Sequence, residues 1–103
     1  MKTQLLNHYK LIIKRGLIHP GTTMDDFMIK LEEEFNEVNE AWITDIWARS
    51  EPSAEFFQEC TDLVMVVMNM MQHYNVDFQE ELSKNIKVQE GRVINIVSKE
   101  SND

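Results

Sequence analysis

MDDFMIKLEEEFNEVNEAWITDI, residues 24–46, carries apolar side chains at Met24, Phe27, Met28, Leu31, Phe35, Val38, Trp42 and Ile46. Steps of three and four persist along the whole stretch, the mark of one long amphipathic helix. Thr22 or Thr23 can cap its start, and Asp25 and Asp26 suit the positive end of the helix dipole. The same stretch packs Glu32, Glu33, Glu34, Glu37 and Glu40 into a few turns. A solvated flank is the ordinary role for such charges, and only their position relative to the rest of the chain can say whether some of them hold a cation.

Three shorter patterns surround this helix. Upstream, Leu5, Leu6, Tyr9, Ile12 and Ile13 predict a helix over residues 3–15, stopped by Gly16 after the basic pair Lys14 and Arg15. Downstream, Ser50, Pro52 and Ser53 open a third helix with Phe56, Leu63, Val67, Met70, Met71 and Tyr74 as its stripe. Between Leu63 and Met71 this helix is apolar on nearly every side, more than one small layer of helices can cover, so the excess reads as an interface between subunits. Asp77 and Glu80 form a capping-box pattern before a fourth helix bearing Phe78, Leu82 and Ile86, with a stop expected at Gly91. The expectation is an all-α, four-helix domain over residues 1–92, completed by oligomerisation. Residues 93–103 are expected as a C-terminal arm or disordered tail.

Composition narrows the function classes. A net charge of −8 with no basic cluster disfavours a nucleic-acid polymer as partner. The longest apolar run, residues 63–68, is too short for a bilayer, and the N-terminus lacks a signal-peptide core, which argues against a membrane role and for the cytoplasm. One cysteine, Cys60, fits a reducing compartment and reads as a small buried residue.

Divalent cations prefer hard oxygen ligands, and a helix offers two carboxylates to one ion most simply from positions three or four apart. Glu34 with Glu37, and Glu59 with Asp62, have that spacing. Spacing alone decides little, since about three such pairs are expected by chance at this acidity. Helical phase is more informative. Glu34 and Glu37 lie roughly 75° and 135° to one side of the second helix's apolar stripe, and Glu59 and Asp62 roughly 65° and 125° to the same side of the third's. For antiparallel neighbours, such matching offsets make the two pairs either face each other or both point away. Four facing carboxylates would repel strongly, and a cation is the natural way to offset that.

At this point KLEEEFNEVNEA and FFQECTDLVMVVMNMM together resemble the MazG-like all-α nucleoside triphosphate pyrophosphatases, whose signature is E-E-x-x-E on one helix followed by E-x-x-D on the next. Glu33, Glu34 and Glu37 match the first half, Glu59 and Asp62 the second, and the resemblance spans about residues 24–92. It implies a MazG-like bundle in which Glu34, Glu37, Glu59 and Asp62 bind Mg²⁺, with Mn²⁺ as a substitute, and Glu33 activates water. It further implies a nucleotide substrate, an NTP or dNTP cleaved between the α and β phosphates to a monophosphate and pyrophosphate. Late basic residues of the family correspond loosely to Lys84, Lys87 and Arg92, but Gln89 stands about where the family has Asn, so their role in phosphate binding is the weaker part of the match.

Lys30, one turn before Glu34, either pairs with the acidic cluster or reaches a phosphate. Trp47 is a candidate for stacking on a base, while Trp42 belongs to the core stripe. His8, His19 and His73 complete no E-x-x-H and are expected in surface or capping roles. The reading from another functional class is a non-catalytic acidic helical oligomer, an interaction module with a degenerate metal site.

Overall fold

The structure, a computed structural model, describes residues 2–101. Four helices follow one another, α1 (Lys2–Lys14), α2 (Met24–Ala48), α3 (Ala54–His73) and α4 (Phe78–Ser101), with no strand among the described residues. Each of the first three is bounded by a recognisable local device. Gly16 adopts φ 78°, and its N–H and that of Leu17 donate to the Ile13 and Ile12 carbonyls, closing α1 in a Schellman turn. Thr23 caps α2 and exchanges hydrogen bonds with Asp26 in a capping box. Ser53 caps α3, whose far end is turned by Asn75 at φ 57° in a second Schellman arrangement with Val76.

The packing centre is the pair α2 and α3. Its register is held at the loop by Asp45, which is buried on α2 and accepts hydrogen bonds of 2.8 Å from both the backbone N–H and the hydroxyl of Ser53. The carbonyl of Asp45 also accepts the N–H groups of Arg49 and Ser50, so one residue terminates α2 and launches α3. Moving away from the loop, Trp42 meets Phe56 at 5.8 Å between ring centroids, and Glu34 meets Glu59 and Asp62. Contacts that recede in opposite chain directions make the helices antiparallel.

Helix α1 packs mainly on α3. Its strap is polar. The Tyr9 hydroxyl lies 2.9 Å from Nδ1 of His73, whose Nε2 lies 3.0 Å from the Thr22 carbonyl. A carbonyl can only accept, so Nε2 carries the proton and Nδ1 accepts from Tyr9. His73 also stacks at an angle on Phe27, one of only two buried apolar residues among those described, with Ile18 the other. His8 reaches Asn69 on α3. The expectation of surface or capping roles for the histidines therefore fits His19, which folds its own loop by accepting the Gly21 N–H, and not His8 or His73.

Helix α4 departs from the expected stop at Gly91. It runs through the glycine to Ser101, so residues 93–101, expected as an arm or disordered tail, are helical; residues 102 and 103 lie outside the described part. A glycine inside a helix costs about 1 kcal/mol relative to alanine, which neighbouring helix formers outweigh unless the following chain turns away. The helix makes at most marginal contact with the other three, and Leu82, Ile86, Val93, Ile94 and Val97 along it are exposed. The radius of gyration, 18.0 Å, compares with about 13 Å for a compact chain of this length. Phe35 and Ile46, expected in the core stripe of α2, are also open to solvent. A single chain thus leaves its apolar stripes partly uncovered.

Replacing Asp45 by Ala removes the one oxygen that accepts both Ser53 hydrogen bonds and should lower unfolding free energy by about 1–3 kcal/mol in urea titrations. Ser53→Ala should cost about 1 kcal/mol. Because the two residues bond each other, the double variant should lose less than the sum of the singles.

Candidate metal centre

Glu34 on α2 and Glu59 and Asp62 on α3 each offer a carboxylate oxygen, and these oxygens lie within 4.8 Å of one another. Glu37, one turn along α2, belongs to the same field of charge. Its carboxyl is pushed above the ordinary glutamate value, first by the charge of Glu34, then by burial and by its interaction with Glu59. The two acidic pairs therefore face each other across the α2–α3 seam, the first of the two geometries their phases allow.

Burial is uneven across the cluster: Glu34 is buried, Glu59 is half-buried and Asp62 is exposed. Glu34 is only 7% exposed. Its Oε1 pairs with Lys30 at 3.1 Å, while its Oε2, like Oε2 of Glu59, is shut off from solvent and has no hydrogen-bond partner. An orphaned carboxylate oxygen is among the more costly groups to bury, several-fold worse when a like charge stands beside it. Lys30 supplies one compensating positive charge, and its hydrogen bond to Glu34 holds the ammonium above its ordinary range despite partial burial. One ammonium cannot balance the group. Clustered oxygen-only donors, two of them shut off from solvent and all short of positive charge, fit a hard divalent cation, with Glu34, Glu59 and Asp62 as its nearest ligands.

A cavity of about 540 Å³ opens beside the carboxylates, between α1 and the α2–α3 pair. Glu33, Glu34 and Asp62 line one end, and Lys30 and Arg15 bring positive charge to its wall. Glu33 is more than half exposed and lies 3.6 Å from Lys30, within reach of a water at that end. Glu32 and Glu40 face solvent, the bland role expected for them.

Other sequence candidates are not brought to this place. Trp47 is 86% exposed and stands thirteen residues beyond Glu34, about 20 Å along the same helix, so it cannot stack on a ligand in its own chain's cavity. Lys84, Lys87 and Arg92 are exposed on α4 and do not line the cavity; Lys84 pairs instead with Glu81 at 3.2 Å. Conversely, the cavity is lined by Arg15 and His8, for which the sequence suggests only helix-end and surface roles, and by Asn69. A signal for Asn69 was present: it is the lone polar residue in the apolar run VMVVMNMM, seven positions after Asp62 and so on the same face.

The raised carboxyl of Glu37 has a stability consequence whose sign can be worked out. A folded-state value above the unfolded one means that the native state holds the proton more tightly, so the contribution is favourable at acid pH and is lost as pH rises through the folded value. In metal-free protein Glu37→Gln should therefore melt higher than wild type at pH 7, with the gap closing as pH falls toward the ordinary glutamate value of 4.5. A divalent ion should reverse the order at pH 7, because only the wild type keeps the full carboxylate set. No protein-family model matches this chain, and neither a curated protein nor a solved structure matches it, so the meaning of the site has to be argued from its own residues.

Proposed function

We propose that the chain is a Mg²⁺-dependent nucleotide pyrophosphohydrolase, cleaving a nucleoside triphosphate between its α and β phosphates to a monophosphate and pyrophosphate. The observation that carries this reading is the pair of buried, partnerless oxygens on Glu34 and Glu59, grouped with Asp62, where Glu34 and Asp62 line a cavity of nucleotide size. The motif resemblance to MazG-like pyrophosphatases points the same way from the sequence side. Glu34, Glu59 and Asp62, with Glu37 beside them, would hold the ion. Bound there, Mg²⁺ offsets the charge of carboxylates and triphosphate together and acts as a Lewis acid toward phosphoryl oxygen.

The chain's own residues do the rest. Lys30 and Arg15 draw the polyphosphate to the carboxylate end, where it would otherwise be repelled. Glu33, exposed at that end and steadied by Lys30, accepts a proton from the attacking water. The water oxygen bonds to the α phosphorus, the bridge to the β phosphate breaks, and pyrophosphate departs with the bridging oxygen. The apolar walls keep bulk water from the nucleoside half.

We infer in addition that the working unit is a homo-oligomer, a dimer or tetramer. What supports this is the exposed apolar stripe of α4, the incompletely covered α2 and α3, and the extended dimensions of the single chain. A second subunit is also the route by which Lys84, Lys87 and Arg92 would reach an acidic cavity, since they do not approach their own.

Glu34→Ala and Asp62→Ala should each reduce pyrophosphate release by more than about a hundredfold with helix content unchanged by circular dichroism. Mg²⁺ should stabilise the wild type by about 2.7 kcal/mol at a hundredfold excess over its dissociation constant, and neither variant. A panel of canonical and modified triphosphates yielding no pyrophosphate with wild type would sink the reading. Ile86→Asp on α4 should lower the sedimentation mass toward that of one chain; an unchanged mass would remove α4 from the interface.

A further inference from the structure

At the end of the cavity away from the carboxylates stands Asn69, 5% exposed, in the apolar stretch of α3. Nδ1 of His8, on α1, lies 3.3 Å from its Oδ1 and 3.2 Å from its Nδ2. One ring nitrogen either donates or accepts, so it engages one of the two amide atoms at a time. A carboxamide has two donors and an acceptor oxygen with two lone pairs, so His8 leaves donor and acceptor capacity side by side on a buried group that lines a cavity. An asparagine needed only for packing would be better replaced by an apolar residue, as its neighbours on α3 are.

Two further features define what that amide faces. The lining also includes Ile12, Ile18, Phe27 and Val66, apolar side chains of the kind that suit a flat heterocycle. Asp62 and Asn69 are seven residues apart on one helix face, a separation of about 10.5 Å along the axis. That is the reach of a nucleotide from its innermost phosphate to the far edge of its base. We infer that Asn69, oriented by His8, reads the base of a nucleotide whose phosphates lie at the carboxylate end of the same cavity.

This inference rests on the nucleotide reading above and deepens it by assigning the polarity of binding and the recognising group. The ligand class is a phosphorylated nucleoside whose base presents a hydrogen-bond donor next to an acceptor. Ribose phosphates and inorganic polyphosphates lack that edge and would leave the Asn69 amide facing apolar or absent groups. Asn69 would touch the ligand, and His8 is a positioning residue acting through it.

The test separates base recognition from turnover. Calorimetric titration in Mg²⁺ buffer compares the nucleoside monophosphates with ribose 5-phosphate, for wild type, Asn69→Leu and His8→Ala, while pyrophosphate release is measured separately. Wild type should bind at least one monophosphate more than about tenfold tighter than ribose 5-phosphate, and Asn69→Leu should lose roughly ten- to hundredfold of that affinity with ribose 5-phosphate unchanged. His8→Ala should show a smaller loss of the same kind, and it decides the matter if Asn69→Leu fails to fold. Unaltered preference in the folded variants overturns the role of Asn69 while leaving the hydrolase reading in place. A wild type that binds no monophosphate better than ribose 5-phosphate also overturns it, whereas absence of pyrophosphate release alongside intact base preference overturns the hydrolase reading alone.

Discussion

Mutual repulsion among carboxylates at the α2–α3 seam is the constraint around which the rest of this molecule is arranged. Glu34, Glu59 and Asp62 are held with oxygens within 4.8 Å of one another, and Glu37 feels their charge strongly enough to resist ionisation. Left alone, such a group would splay the helices or become wet. The antiparallel pair is instead clamped at its loop by Asp45 and Ser53, stacked near that same end by Trp42 and Phe56, and offset in charge by Lys30. The clamp keeps the carboxylates within reach of a common ion, and the shortfall of positive charge makes an ion welcome there.

The cavity extends this asymmetry into a gradient. Its acidic end carries Lys30 beside Glu33 and Glu34, its lining includes Arg15 and several apolar side chains, and the His8–Asn69 contact stands farther along α3. Helix α1 carries His8, so the strap joining Tyr9, His73 and Thr22 bears on the shape of the cavity as well as on stability. Few apolar residues are buried among those described, and the fourth helix stands away from the others. The second copy proposed above would cover the apolar surface that α4 leaves open.

Legibility in the sequence differed from one feature to the next for physical reasons. The extent of α2 was readable because its period is uninterrupted from Met24 to Ile46, and the end of α1 because Gly16 had a conformational reason to be there. The end of α4 was misread, because Gly91 looks the same whether it turns the chain or is carried within a helix. The acidic pairs could be matched by phase, yet phase leaves facing and averted arrangements open. Trp47 shows the reverse limit: its type suits a base-stacking role, but its position on α2 carries it to solvent.

By itself, then, the sequence determined the all-helical architecture, the caps, and the two helix faces on which the acidic residues stand, since these follow from periodicity and local hydrogen bonding along one chain. Only the tertiary structure decided that the faces meet, that two of the carboxylate oxygens are buried without partners, and that His8 and Asn69 close a cavity against the same carboxylates. Those facts depend on contacts between residues as many as 61 positions apart, where the rotation of one helix about its axis turns a solvated charge into a buried one. No local pattern carries that angle.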